Sequence, residues 1–91
     1  MKLNYEIVDC ETWISPADKA VLYTALTTIE KLNDDLEECG IYDKTMYIEF
    51  DRYNLRYMIM NKKYDCQISL PTIDPERLIE DINVLKNYIW V

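Results

Sequence analysis

"TMYIEFDRYNLRYMIMNKKYDCQISL", residues 45–70, decides the fold. Its first part puts Met46, Ile48 and Phe50 on one side and Thr45, Tyr47, Glu49 and Asp51 on the other. "LRYMIM" repeats the pattern, with Leu55, Tyr57 and Ile59 opposite Arg56, Met58 and Met60. "YDCQISL" alternates again: Tyr64, Cys66, Ile68 and Leu70 inward, Asp65, Gln67 and Ser69 outward. Period two in β-formers marks half-buried strands. "RYNL" and "NKK" leave room only for tight turns, so the three strands form an antiparallel meander.

Outward from this core, the pattern changes twice. Lys2 to Val8 alternates as well, with Leu3, Tyr5 and Ile7 on one side, and predicts a further strand. From Ser15 to Gly40 the period becomes helical. Ser15 is an N-cap, Pro16 suits the first helical position, and Asp18 lies near the positive end of the helix dipole. Leu22, Ala25, Leu26, Ile29, Leu32, Leu36 and Cys39 make one apolar stripe, and Gly40 suits a left-handed stop. After Pro71 a second helix begins with Asp74 as N-cap and Pro75 as its first residue. Ile73 and Leu78 have the spacing of a hydrophobic staple. Leu78, Ile82, Leu85 and Ile89 form the seam, flanked by Ile79 and Tyr88. The predicted order is β-α-β-β-β-α. Residues 1–91 then make one α+β domain, a mainly antiparallel four-stranded sheet with two helices on one face.

The chemistry available to this chain is narrow. Of its 91 residues, 49% are apolar and eight are tyrosine, too rich for a disordered acidic tail. The net charge is −7, and it is unevenly placed. Residues 1–51 carry 12 acids against 4 bases; residues 52–91 carry 5 against 6. A negative domain repels phosphate backbones and anionic lipid, so neither nucleic acid nor membrane is an expected direct partner. Cys10, Cys39 and Cys66 are too few and too scattered for a disulfide framework. Reduced thiols, and the lack of a membrane-length apolar run or a signal-peptide pattern at the N-terminus, predict a cytoplasmic protein.

No enzyme motif is present. Without histidine there is no imidazole base, no Ser-His or Cys-His dyad and no histidine metal ligand. One glycine cannot build a phosphate-cradling loop. Glu38 beside Cys39 disfavours a thiolate there, and Cys66 alternates into the core. Asp34 and Glu38 share a helix face at i, i+4, which does not hold two carboxyls across a cleft as acid–base catalysis needs. Asp34, Asp35 and Glu38 could hold calcium only weakly, and no EF-hand loop is present. The expectation is a non-enzyme with no cofactor and no metal.

The informative stretch is "EKLNDDLEECG", residues 30–40. Glu37 and Glu38 sit at the negative end of the helix dipole, each costing about 0.3–1 kcal/mol. Glu30 with Asp34, and Asp34 with Glu38, are like-charged neighbours costing about 0.2–0.5 kcal/mol each. The helix would be more stable without several of these carboxylates. Either they are a solvated face, or Asp34, Asp35, Glu37, Glu38 and Asp43 form a docking surface for lysine and arginine. The second candidate surface is the outer sheet face, with Tyr47, Glu49, Arg56, Met58, Met60, Asp65 and Gln67, where Glu49 and Arg56 are a candidate ion pair. Trp90 either closes the core or anchors a partner.

In size, charge and absence of motif the chain resembles small acidic inhibitors encoded by phages and mobile elements, such as anti-CRISPR proteins, and immunity proteins that neutralise basic toxins. The likeness carries over no functional residue. It implies an inhibitor or adaptor that occupies a basic, nucleic-acid-binding type of surface on a partner protein. The alternative expectation is a homodimer or larger homo-oligomer, associating through the open sheet face or Tyr88-Ile89-Trp90.

Overall fold

Ser15 stands in extended backbone at the head of helix α1 (Pro16–Glu38), and its hydroxyl accepts the Asp18 N–H at 3.1 Å. The computed structural model describes residues 15–51 and 53–89. The predicted strand from Lys2 to Val8, and Cys10, lie outside the described residues. Leu22, Ala25, Leu26, Ile29, Leu32 and Leu36 are buried along one face of α1, as their helical spacing requires.

The same helix ends where the sequence places its stop. Gly40 has φ 76, its N–H donates to the Glu37 carbonyl at 3.0 Å, and the Ile41 N–H donates to the Leu36 carbonyl at 2.8 Å. This pair of bonds is the Schellman arrangement, which satisfies two otherwise unpaired carbonyls. A Cβ on Gly40 would meet nothing within 4 Å, so the demand for glycine is conformational rather than steric. Cys39, expected in the apolar stripe, is exposed instead. It is the cap residue, and the cap folds Ile41 back against the core in its place.

Strands β1 (Met46–Asp51), β2 (Arg56–Asn61) and β3 (Cys66–Gln67) follow, in the spatial order β1-β2-β3 and antiparallel throughout. The register runs from Met46↔Asn61 to Asp51↔Arg56. It buries Met46, Ile48, Phe50, Tyr57 and Ile59 on one face, where the Phe50 and Tyr57 rings lie 4.9 Å apart. Helix α2 (Pro75–Ile89) adds Leu78 and Ile82 to the same core, with Ile79 and Leu85 partly buried beside them. The Asp74 carboxylate caps it, accepting the Glu76 N–H at 3.0 Å. The fold is α+β, two helices and a three-stranded antiparallel sheet among the described residues.

The third strand departs from its simple alternation. Only Cys66 and Gln67 are ladder residues, and both are exposed, as are Tyr64 and Leu70. Tyr64 lies in the turn and Cys66 at the end of the sheet; past Gln67 the cause is a bulge. Ile68 and Ser69 both donate their N–H to the Ile59 carbonyl, at 2.9 and 3.3 Å, and the Ser69 hydroxyl accepts the Ile59 N–H at 2.7 Å. A side-chain oxygen has replaced a ladder carbonyl. Pairing resumes at Tyr57↔Thr72. From Met60 to Tyr57 is three steps along β2, but from Gln67 to Thr72 is five on its partner. The surplus pushes Leu70 out of the sheet. Thr72 faces its bridge partner Tyr57, and the next residue, Ile73, which the sequence pairs with Leu78, is 75% exposed. The edge is also blunted: the Gln67 side-chain amide donates to the Ser69 carbonyl at 2.7 Å, and Pro71 has no N–H to offer.

Leu55, expected as an inward strand residue, instead ends the β1–β2 turn with φ 52 and is exposed. Asp51 organises that turn. Its carboxylate accepts the Tyr53 N–H at 3.0 Å, the Asn54 N–H at 3.3 Å and the Asn54 side-chain amide at 2.8 Å. The Asn54 amide, more than any other partner, holds the Asp51 carboxyl below its ordinary range. A depressed carboxyl contributes stability that is present above its unfolded pKa and lost as pH falls through the folded one. Asp51→Ala is therefore expected to lower the urea midpoint at neutral pH. The gap from the parent should close below about pH 4. A gap of constant size across that range would contradict the assignment.

Candidate protein-binding surface

Helix periodicity divides the acidic run into two faces. At about 100° per residue, Glu30, Asp34 and Glu37 fall on one stripe and Asp35 turns away from it. Glu30, Asp34 and Glu37 form one wall of an open groove of about 600 Å³ between α1 and β1. Leu26, Ile29, Met46 and Ile48 make its floor and are themselves buried, so the accessible part is the rim. Tyr47 and Lys62 lie on the opposite side. Asp35 is half-buried, and Glu38 and Asp43 are exposed but do not line the groove.

Asn33 holds the two walls together. Its amide nitrogen donates to the Met46 carbonyl at 2.6 Å, and its amide oxygen accepts the Met46 N–H at 2.9 Å. The side chain thus pairs with the first residue of β1 as a neighbouring strand would. Below it, buried Asn61 donates to the Asp43 carbonyl at 2.8 Å and accepts the Tyr64 N–H at 3.0 Å. The Lys62 N–H donates to the Thr45 carbonyl at 2.9 Å. These bonds bring the loop after α1 and the β2–β3 loop to one end of the sheet, and Lys62 lines the groove with Glu30, Asp34 and Glu37. Sequence spacing along α1 alone does not reveal that lysine.

The outer face of the sheet is less open than the alternation predicts. Tyr47, Glu49, Arg56, Met58 and Met60 are half-buried, while Asp65 and Gln67 are exposed. The Tyr47 hydroxyl donates to Asp65 at 2.6 Å across the sheet end, where Asp65 takes φ 48. Glu49 pairs in register with Met58, and Arg56 forms its ion pair with Asp51 at 3.4 Å rather than with Glu49. The tight β1–β2 turn sets that register. Trp90 lies outside the described residues.

Two further features bear on function. Among the described residues, no helix is long and apolar enough to cross a membrane. Among them, too, no group of three or more Cys, Asp or Glu is arranged to hold a metal ion. Comparison with protein families, characterised proteins and solved structures returns no match.

Proposed function

We propose that this is a binding protein rather than an enzyme: an inhibitor or adaptor that occupies a basic surface of a partner protein, in the manner of anti-CRISPR or immunity proteins. One observation carries the reading. Glu30, Asp34 and Glu37 line up along one accessible groove wall. Lysine and arginine heads seek carboxylates, and a row of carboxylates along an open rim offers them several in series. A surface built to grip a row of phosphates presents such heads in series. Asp35, Glu38 and Asp43 add to the field that steers the encounter. Tyr47, on the facing wall, and Met58, on the outer sheet face, supply the adjoining non-ionic contacts, with Trp90 at the chain end. In this proposal the protein acts in the cytoplasm as a single domain of residues 1–91, and residues 2–8 add a fourth strand to the sheet.

A deca-arginine peptide serves as the probe, with affinity followed by calorimetry. The wild-type chain should bind it, with affinity falling steeply as salt rises past about 0.1 M. Glu30→Lys, Asp34→Lys and Glu37→Lys together should abolish binding. They should leave the fold intact, because Glu37→Lys turns a dipole clash into an attraction and Asp34→Lys faces Glu38 with the opposite charge, offsetting the new repulsion among the introduced lysines. The same type of reversal at Asp18, Glu76 and Glu80, three acids outside the groove and an equal change of net charge, should reduce affinity only modestly. Equal losses from both sets would mean that net charge alone is being sensed, and the groove assignment would fall.

A further inference from the structure

The β1–β2 hairpin displays an aromatic ring that its own chain leaves bare. Tyr53 is 98% exposed, and Leu55 is 48% exposed. Asp51 nevertheless holds the backbone of Tyr53 and Asn54 and the Asn54 side chain. Leu55 keeps a left-handed φ of 52, unfavourable for a bulky residue, with little burial to offset it. A tyrosine has only two side-chain torsions to fix when it docks, so it presents a large contact area at modest entropic cost.

A matching hollow lies elsewhere on the molecule. Ile68, Leu70, Val84 and Leu85 line an open cleft of about 180 Å³ between the bulged third strand and α2. Leu70 is 76% and Val84 53% exposed. The space is of the order of one aromatic side chain. Asp81, which receives Arg77 at 3.4 Å, also lines it. Its carboxylate offers a phenol hydroxyl the kind of acceptor that Asp65 offers Tyr47.

We propose that the protein self-associates by seating Tyr53 of one copy in this cleft of a second copy, and reciprocally. The chain itself carries the ring that fits, and at 98% exposure that ring is not seated in its own cleft. Two equivalent contacts related by a two-fold axis close the pair. A tyrosine buries about 150–250 Å². Two such contacts, with the surfaces they cover, stay near or below about 1,200 Å², the range of weak and transient complexes. Each copy carries −7, so repulsion opposes pairing and salt relieves it. Binding of a basic partner through the acidic groove has the opposite salt dependence, so the two proposals stand or fall separately.

Sedimentation velocity on the full chain, up to about 1 mM and at low and high salt, tests it. The weight-average mass should climb from 10.9 kDa toward twice that value, and more readily at high salt. Tyr53→Ala and Val84→Asp, both at exposed positions, should each weaken association at least about tenfold. Tyr64→Ala removes another exposed ring and should change nothing. A chain that stays monomeric throughout overturns the proposal. So does a dimer that survives Tyr53→Ala, whether it forms through the sheet face or elsewhere.

Discussion

Leu36→Ala is expected to remove about 2–5 kcal/mol of stability. Leu36 is fully buried, and it lies where α1 must both finish packing and stop. Truncation loses the transfer free energy of the side chain and leaves a cavity that a closed helix end cannot easily collapse. The Leu36 carbonyl accepts the Ile41 N–H, so the turn that places Ile41 over the core is anchored on the same residue. A domain of this size has a margin of about 5–15 kcal/mol, and each kcal/mol moves the melting midpoint about 4–8 °C. Thermal unfolding should therefore show a fall of about 10–30 °C. Leu70→Ala is the control, because the bulge has already placed Leu70 in solvent. It should stay within about 0.5 kcal/mol of the parent. If the two substitutions cost the same, Leu36 is not a core residue.

That contrast shows where the sequence is legible and where it is not. Six of the seven positions in the α1 stripe are buried, because helical periodicity is a local property and a long amphipathic run has one way to hide it. The Gly40 stop and the Ser15 and Asp74 caps are equally local. The third strand is different. Its alternation reads cleanly on paper, yet Ser69 can bond the Ile59 N–H with its hydroxyl, and that single contact shifts everything after it. Nothing in the spacing of apolar residues signals such a competition. The cross-sheet ion pair fails for a related reason, since a turn fixed by Asp51 and Asn54 chooses the register and hands Arg56 to Asp51. For the candidate site, the acids are visible in sequence but their division into a groove wall and a separate face depends on where β1 lies. Asn33, which sets that position, reads in sequence as one more polar residue in an acidic run.

Asn33→Ala should cost about 2–4 kcal/mol, because it strands two backbone groups of the buried residue Met46 at about 1–3 kcal/mol each. Asn33→Asp is the more discriminating variant. It keeps an oxygen for the Met46 N–H but, when ionised, has no proton to offer the Met46 carbonyl. It also adds a charge beside Glu30, Asp34 and Glu37. Both effects favour the protonated acid in the folded state, so the introduced carboxyl has a folded pKa raised above its unfolded value. Its contribution is then fully present below the unfolded pKa and lost as pH rises through the folded one. Relative to the parent at the same pH, Asn33→Asp should be nearly as stable at about pH 3 and markedly less stable at about pH 7. Asn33→Ala, with nothing to titrate, should show a gap of constant size. Urea midpoints for the three proteins across that range separate the cases. An alanine variant within about 0.5 kcal/mol of the parent would show that the link between α1 and β1 contributes little. The groove wall would then owe its position to the apolar floor alone.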